Sequence, residues 1–211
     1  MSGLRKMHIV SLTRAWCVFG YGSSSAFCTI LEDVGERNDV RHERLCGRNM
    51  FSGQQIVEDL NELDVTHVVW IPDSTLGEWD PSLRASDRIS LINVCREGEA
   101  WAVAAGLYLG GARPLVVIQC TGLFESGDSL RNAVHDYRLP LFAIIGYRSF
   151  LNQDSLPGDT ALTYTEPVLK AWDIDYQLIE EPSQRPLLKE HYCSCQAAGK
   201  AGAILFAEGK A

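Results

Sequence analysis

Two glutamates, Glu97 and Glu99, stand where a strand pattern changes into a helix pattern. Residues 89–95 are apolar and rich in β-branched side chains, which predicts a buried strand, and from residue 100 to 109 apolar residues recur at the spacing of one helix face. In a parallel α/β sheet such a junction lies at the carboxyl end of a strand, where these folds bind ligands. A carboxylate held there can exchange a proton with a bound molecule.

A structural explanation of the same glutamates stands beside the chemical one. Carboxylates in the first turn of a helix interact favourably with its positive end, and each such interaction contributes about 0.3–1 kcal/mol. Position alone favours this structural explanation, so further motifs are needed to identify a catalytic glutamate.

The elements that must position these residues alternate between strand and helix from Met50 to the end of the chain. Ser52 is a helix N-cap before an apolar face that includes Ile56 and Leu60. The predicted strands are 67–71, 89–95, 115–119, 141–146, 176–179 and 202–207, and further helices are predicted at 100–109, 126–137, 166–172 and 186–198, with a long polar loop at 147–163. Continuous apolar strands separated by helices predict an α/β fold, a six-stranded, mostly parallel sheet with helices on both faces.

Composition narrows the class of protein. The 211 residues are 46% hydrophobic and 22% charged, which is typical of one sizeable core. No apolar run approaches the roughly 18 residues of a membrane-spanning helix. The net charge of -8 argues against a nucleic-acid binder. The seven cysteines lack paired metal-ligand spacing, so we expect reduced thiols and a cytoplasmic protein.

Residues 1–49 differ from the rest of the chain. They carry seven basic and five acidic residues, a balance of +2, whereas the remainder carries twelve against twenty-two, a balance of -10. A Gly/Ser cluster at 20–25 interrupts any secretory signal, and the acidic residues argue against a transit peptide. We expect an irregular extension that arises from an upstream start codon, followed by a native domain at 50–211. N-terminal sequencing of the protein from its natural host tests this expectation.

Four segments occur in a characteristic order. They are V-T-H-V-V-W-I-P-D-S-T-L at 65–76, the segment 94–111, V-V-I-Q-C-T-G-L-F-E-S-G-D at 116–128 and L-P-L-F-A-I-I-G-Y-R at 139–148. Together they resemble the α subunit of sulfopyruvate decarboxylase, which is similar to the pyrimidine-binding domain of thiamine-diphosphate enzymes and is related to phosphonopyruvate decarboxylase. The resemblance covers about residues 50–209. It implies a carboxy-lyase that converts sulfopyruvate to sulfoacetaldehyde and carbon dioxide, within coenzyme M biosynthesis, with phosphonopyruvate as the alternative substrate.

The resemblance assigns the cofactor residues. In the family, the activating glutamate lies nine positions before a helix glycine, and counting back from Gly106 selects Glu97 rather than Glu99. Glu97 is then expected to hydrogen-bond N1′ of the aminopyrimidine of thiamine diphosphate, so that N4′ can remove the C2 proton of the cofactor. Thr121 and Leu123 are expected as cofactor neighbours. Glu99 is expected to face solvent or a partner.

The resemblance also indicates where the substrate binds. Asp73 and Ser74 line the active site in the family, although Pro-Asp-Ser is also ordinary turn chemistry. Arg148 and Arg96 can engage a sulfonate bidentately, and either can instead form a salt bridge. Cys120 stands where the family usually has Asn, which leaves any hydrogen bond from that position open.

One motif of the family is absent. Thiamine-diphosphate enzymes anchor the diphosphate through Mg²⁺ with a Gly-Asp-Gly motif, which this sequence lacks. The resemblance therefore implies a β subunit that holds the diphosphate and Mg²⁺, no metal ligand in this chain, and no activity of this chain alone. A pyrimidine-domain homologue that only binds a partner is the non-catalytic alternative.

Two other motifs suggest rival functions. Gly-Asp-Ser-Leu at 127–130 is the signature of a serine hydrolase family, but the late Asp-x-x-His of that family is absent. Cys193 and Cys195 lie two residues apart in a predicted helix, so we expect their thiols to point away from one another.

Overall fold

A six-stranded sheet forms the centre of the domain. The computed structural model describes residues 50–155 and 158–209, so the predicted extension at 1–49 lies outside the described residues. The strands are β1 (His67–Trp70), β2 (Ser90–Asn93), β3 (Pro114–Gln119), β4 (Phe142–Tyr147), β5 (Asp175–Ile179) and β6 (Gly202–Ala207). Their order is β2-β1-β3-β4-β6-β5. Every neighbouring pair is parallel, which confirms the predicted sheet.

Helices connect these strands. They are α1 (Gly53–Glu62), α2 (Asp80–Arg84), α3 (Glu97–Leu109), α4 (Cys120–Arg131), α5 (Thr160–Ala171) and α6 (Pro186–Ala198). Short 3-10 turns lie at Leu76–Trp79, Phe150–Ser155 and Pro182–Gln184, and a π turn at Asn132–Asp136. Within the described ranges, the helices lack the combination of length and apolar character that crossing a bilayer requires.

The core has two layers, one on each face of the sheet. Leu60 of α1 and Leu188 of α6 pack in the apolar cluster on one face. Trp101 of α3, Leu123 of α4 and Leu169 of α5 pack in the cluster on the other face. The helices therefore cover both faces, as predicted, and the ends of the central strands are left to form a site.

The second strand is an edge strand, which corrects the prediction of a buried one. β2 pairs only with β1, at the end of the sheet. Ser90 and Asn93 are exposed, and Leu91 and Ile92 are only partly covered. The apolar run alone could not reveal this, because an edge strand and a central strand differ in their neighbours rather than in their period.

Helix α4 begins six residues earlier than the predicted start at Ser126. The Ser126 hydroxyl donates to the Gly122 carbonyl at 2.7 Å and accepts from the Trp101 indole N–H at 3.0 Å. These contacts hold the first turns of α4 against α3. The backbone at Gly127 is not helical. The contact between Ser126 and Trp101 joins residues 25 positions apart, so the sequence pattern alone could not place the start of this helix.

Helix α5 also begins earlier than predicted, at Thr160 instead of residue 166. The Asp159 side chain caps it by accepting from the Ala161 backbone N–H at 2.9 Å. Pro167 lies inside the helix, although proline is more usual in the first turn. The predicted loop at 147–163 is therefore shorter, and it contains a 3-10 turn.

The two cysteines of α6 face different environments, as predicted. Cys193 is exposed, whereas Cys195 is buried. Burial raises the pKa of the Cys195 thiol to about 11. This thiol is therefore a packing residue of the core.

Helix α1 is fixed at both its start and its middle. Ser52 and Gln55 form a capping box, which confirms the predicted N-cap. Asp59, only 1% exposed, pairs with Arg185 at 2.8 Å and Lys189 at 3.2 Å. These ion pairs join α1 to the segment that begins α6.

We expect Asp59→Ala to lower the free energy of unfolding by about 3 kcal/mol, because it removes the buried carboxylate that pairs with both Arg185 and Lys189. Urea unfolding followed by circular dichroism measures this change. Glu58→Ala is the control, because the side chain of Glu58 is 53% exposed and its pair with Arg185 spans 3.7 Å, so we expect a change within about 1 kcal/mol. Equal losses in the two variants would contradict the assignment of Asp59.

Candidate functional site at the carboxyl edge of the sheet

Ionisable and amide side chains lie together at the carboxyl ends of the strands. Asp73 follows β1, Glu97 follows β2, Gln119 ends β3, Arg148 follows β4 and Glu208 follows β6. Because the strands are all parallel, their carboxyl ends meet at this edge, where ligands of such folds bind. This end of the sheet therefore carries negative and positive side chains together with a hydrogen-bonding amide.

Glu97 is the first residue of α3 and is half-buried. Its side chain lies directly over Gly122, in the first turn of α4. A Cβ atom at position 122 would lie 2.7 Å from Glu97 Oε1 and 2.8 Å from Cδ, closer than real side-chain contacts. The glycine of the Gln-Cys-Thr-Gly-Leu segment is therefore needed to seat this carboxyl group.

Glu99 has a different environment from Glu97. It is exposed, and its carboxylate accepts from the Cys95 backbone N–H at 3.0 Å. This contact ties the chain before α3 to the first turn of the helix. A structural role in the first turn of the helix therefore accounts for Glu99, whose side chain is exposed.

A third glutamate, Glu125 of α4, holds the start of α3. It accepts from the Gly98 backbone N–H at 2.8 Å and from Arg96 Nε at 2.9 Å. The Gly98 hydrogen bond and then the Arg96 guanidinium keep the pKa of Glu125 below its ordinary value. Arg96 thus forms the salt bridge that was one of its two predicted roles. Glu125 was not predicted, because its partners Arg96 and Gly98 are distant in sequence.

A cleft lies between the loops that follow β1, β4 and β6. Its volume is about 540 Å³. Asp73, Ser74 and Arg148, three residues predicted to bind substrate, all line it. Gln119 and Glu208 line it as well, and neither was predicted. The structure therefore brings the predicted substrate residues together.

The Asp73 carboxylate shapes the wall of this cleft. Its Oδ1 accepts from the backbone N–H groups of Thr75 and Leu76, both at 2.7 Å. Its Oδ2 accepts from Gln119 Nε2 at 3.3 Å. Asp73 therefore orders the turn after β1, as the turn chemistry of its motif indicates.

Gln119 lies between the cleft and the segment on which Glu97 packs. Its amide donates to Asp73, and its carbonyl oxygen accepts from the Thr121 hydroxyl at 3.1 Å. Thr121 precedes Gly122, over which Glu97 lies. A continuous run of contacts thus leads from the cleft to Glu97.

The residues on either side of Thr121 and Gly122 are buried. Cys120 is fully buried and Leu123 is 2% exposed, both in the apolar cluster that contains Trp101. Burial raises the pKa of the Cys120 thiol, so it packs as a small apolar residue. The expected contact of Leu123 with a cofactor stays a prediction.

Glu208 is the most deeply buried of the charged side chains in this cleft, with 4% exposure. Burial raises the pKa of its carboxyl to about 8, and the negative charge of Asp73 adds to the rise, while Thr75 and Arg148 oppose it. The sequence did contain a signal, because Glu208 directly follows an apolar strand, and Glu97 also lies shortly after one.

The fold is an α/β domain of the doubly wound class, and its cleft lies at the carboxyl ends of the strands, where such folds bind ligands. Residues 50–169 match the family "Thiamine pyrophosphate enzyme, N-terminal TPP binding domain". The chain belongs to this family, which confirms the resemblance found in the sequence.

Curated relatives agree with this family. Phosphonopyruvate decarboxylases of Streptomyces viridochromogenes and Streptomyces hygroscopicus are 27% and 32% identical over 71% of this chain. The chain spans only 37% of the length of each. The sulfopyruvate decarboxylase subunit alpha of Methanococcus maripaludis is 25% identical over 64% of this chain and 81% of its own length.

A solved structure supports the fold. Benzoylformate decarboxylase from Polynucleobacter necessarius superposes with a TM-score of 0.55 over 74% of this chain and 29% of its own chain. The sequence identity is 18%, so this likeness concerns the fold alone.

The residues around Glu97 fit the pyrimidine end of thiamine diphosphate. That group needs a carboxyl group positioned to share a proton with a ring nitrogen in a site with little water. Glu97 is half-buried and seated on a glycine, with the hydroxyl of Thr121 next to that glycine in sequence. The carboxyl group that this chemistry needs is thus present and is held in place over Gly122.

Proposed function

We propose that this chain is the α subunit of a thiamine-diphosphate-dependent 2-oxo acid decarboxylase, with sulfopyruvate as substrate and sulfoacetaldehyde and carbon dioxide as products. The observation that carries the proposal is the position of Glu97. It combines a half-buried carboxyl group at the carboxyl edge of the sheet with membership of the thiamine pyrophosphate enzyme family.

The bound cofactor supplies the electron sink that 2-oxo acid decarboxylation requires. In this chain, Glu97 shares a proton with the pyrimidine ring nitrogen. The carboxyl group of Glu97 packs against Gly122. Glu125 holds the start of α3 by accepting a hydrogen bond from the Gly98 backbone N–H. The cleft lined by Asp73 and Arg148 holds the anionic substrate.

Arg148 provides the positive charge for the substrate. It is exposed and lines the cleft, whereas Arg96 already pairs with Glu125. A guanidinium engages sulfonate and phosphonate oxygens in the same bidentate geometry. Phosphonopyruvate is therefore the second candidate substrate, and the two Streptomyces relatives favour it.

We expect Arg148→Ala to raise KM for either acid by about 10-fold to 100-fold, because a charge-assisted hydrogen bond contributes about 1.5–3 kcal/mol. Steady-state kinetics measures the change. Arg148→Lys keeps the charge without the bidentate geometry, so its KM should lie between those of the wild type and Arg148→Ala. An unchanged KM in Arg148→Ala would remove Arg148 from the substrate site.

A partner subunit is proposed to complete the site. Helix α3 is apolar on nearly all sides, yet Ala102, Gly106 and Leu109 on its outer side are exposed, Leu109 by 67%. A helix that is apolar all round is usually buried. One relative is named as subunit alpha. We therefore propose that a β subunit packs against the exposed side of α3 and also holds the diphosphate and Mg²⁺.

Co-expression tests the proposal. The chain is purified with the product of a neighbouring reading frame that carries the Gly-Asp-Gly motif, and carbon dioxide release is measured with sulfopyruvate and with phosphonopyruvate. Activity of the complex with one acid, and none of either subunit alone, is expected. A stable complex that is inert on both acids would instead identify the chain as a partner-binding homologue.

A further inference from the structure

Glu208 forms the buried end of the cleft. Its carboxyl group occupies space that Gly146 of β4 leaves open, because a Cβ atom at position 146 would lie 3.0 Å from Glu208 Cδ and closer still to Oε1. Leu76 packs against the same glycine, its Cδ1 3.2 Å from that Cβ position. The fold thus places the Glu208 carboxyl at a defined position between apolar packing and the cleft.

One oxygen of this carboxyl has no hydrogen-bond partner. Glu208 Oε1 is buried and unpaired among the residues that the structure describes. The Thr75 side chain hydrogen-bonds to the carboxyl group. A buried carboxyl oxygen without a partner is costly when the group is charged, which favours the protonated form. Because Glu208 also lines the cleft, the protonated carboxyl group can donate a hydrogen bond to a ligand there.

The charges that face Glu208 have opposite signs. Asp73, on the loop after β1, is negative and disfavours ionisation of Glu208, whereas Arg148, on the loop after β4, is positive and favours it. The thiol of Cys120, at the start of α4, also interacts electrostatically with Glu208, and burial keeps that thiol neutral. With Glu208 protonated, the charges of Asp73 and Arg148 balance in the cleft.

We propose that Glu208 is a substrate-recognition residue that, in its protonated form, donates a hydrogen bond to an anionic group of the molecule bound in this cleft. The inference rests on the proposed function in one respect, since it identifies the anion as that of the 2-oxo acid substrate. When Glu208 loses its proton, its charge joins that of Asp73 and repels the ligand.

The sign of the pH dependence follows from the protonation of Glu208. Burial and Asp73 raise its pKa from 4.5 to about 8, so the carboxyl group is largely protonated at neutral pH. Anion binding should therefore weaken as the pH rises through about 8. The stability that protonation of Glu208 contributes is fully present below the unfolded pKa and is lost as the pH rises through the folded pKa.

Calorimetric titration of the full chain with sulfoacetate tests the proposal, because this anion keeps its charge across the range studied. Between pH 7 and pH 9.5, we expect the Kd of the wild-type chain to rise roughly 30-fold. Glu208→Gln keeps a neutral donor but does not titrate, so its Kd should change by less than about twofold. Glu208→Leu, which has no donor, should bind weakly at every pH.

Glu180→Gln is the matched control, because Glu180 directly follows β5, is exposed and lies outside the cleft. It should reproduce the wild-type pH profile. Infrared difference spectra of wild type against Glu208→Gln report the protonated carboxyl directly. Thermal unfolding should show Glu208→Gln gaining stability relative to wild type as the pH rises from 5 to 9.

These measurements separate the recognition role of Glu208 from the proposed function. A wild-type Kd that does not change between pH 7 and pH 9.5, or a Glu208→Gln profile equal to that of wild type, would overturn the recognition role. If the pH profile is as expected but the complex decarboxylates neither acid, the recognition of an anion stands and the proposed reaction fails.

Discussion

A Glu97→Gln variant, purified with its partner subunit, is expected to lose carbon dioxide release by about 10²-fold to 10⁴-fold, the range in which general acid–base catalysis contributes. Glutamine keeps the size of the side chain and its seat on Gly122, but it cannot exchange a proton with a ring nitrogen. We therefore expect the loss in kcat, with the assembly of the complex unchanged.

One control variant makes this result specific to Glu97. Glu99→Gln changes the neighbouring carboxylate, which is exposed and accepts only from the Cys95 backbone N–H among the hydrogen bonds described for it. It should keep kcat within about threefold, since an amide oxygen can accept the same hydrogen bond. A Glu97→Gln complex with wild-type kcat would refute the assignment of Glu97.

The second large effect is expected from Gly122→Ala. The added Cβ atom would lie 2.7 Å from Glu97 Oε1, so the carboxyl group must move. A misplacement of about 1 Å costs on the order of 10²-fold in rate, and we expect at least that loss in kcat. Helix α4 itself should not suffer, because alanine favours helix over glycine by about 1 kcal/mol.

Gly106→Ala is the matched control for this substitution. Gly106 also lies in a helix, α3, but a Cβ atom there meets nothing within 4 Å. This variant should keep its activity unless the partner subunit packs closely on the outer side of α3, and complex formation by size-exclusion chromatography detects that case. If Gly122→Ala retains wild-type kcat and folds normally, the seat of Glu97 is not part of the catalytic machinery.

The class of fold could be predicted from local sequence patterns. Each of the six strands was predicted to within about two residues at both ends, because strands rich in apolar and β-branched residues stand between segments with turn or helix patterns. The capping box at Ser52 was also visible, since it depends on residues three positions apart. Local patterns of this kind need no knowledge of the neighbouring elements.

The sequence also predicted residues that the structure brings to the same end of the sheet. Glu97 was separated from Glu99 by its distance from Gly106, and the structure then placed only Glu97 over Gly122. Asp73 and Arg148 were predicted from motifs and lie in the same cleft. Motifs carry this information because each one is confined to a single loop at the end of a strand.

Features that depend on contacts between distant segments required the tertiary structure. It placed β2 at the edge of the sheet, although its apolar run predicted a buried strand. It joined Arg96 to Glu125, 29 residues away, which removed Arg96 from the candidates for substrate binding. It also buried Glu208 against Gly146, two residues that the order of the strands makes neighbours. A pKa and a salt bridge depend on such spatial neighbours, which the chemical type and spacing of residues along one chain do not specify.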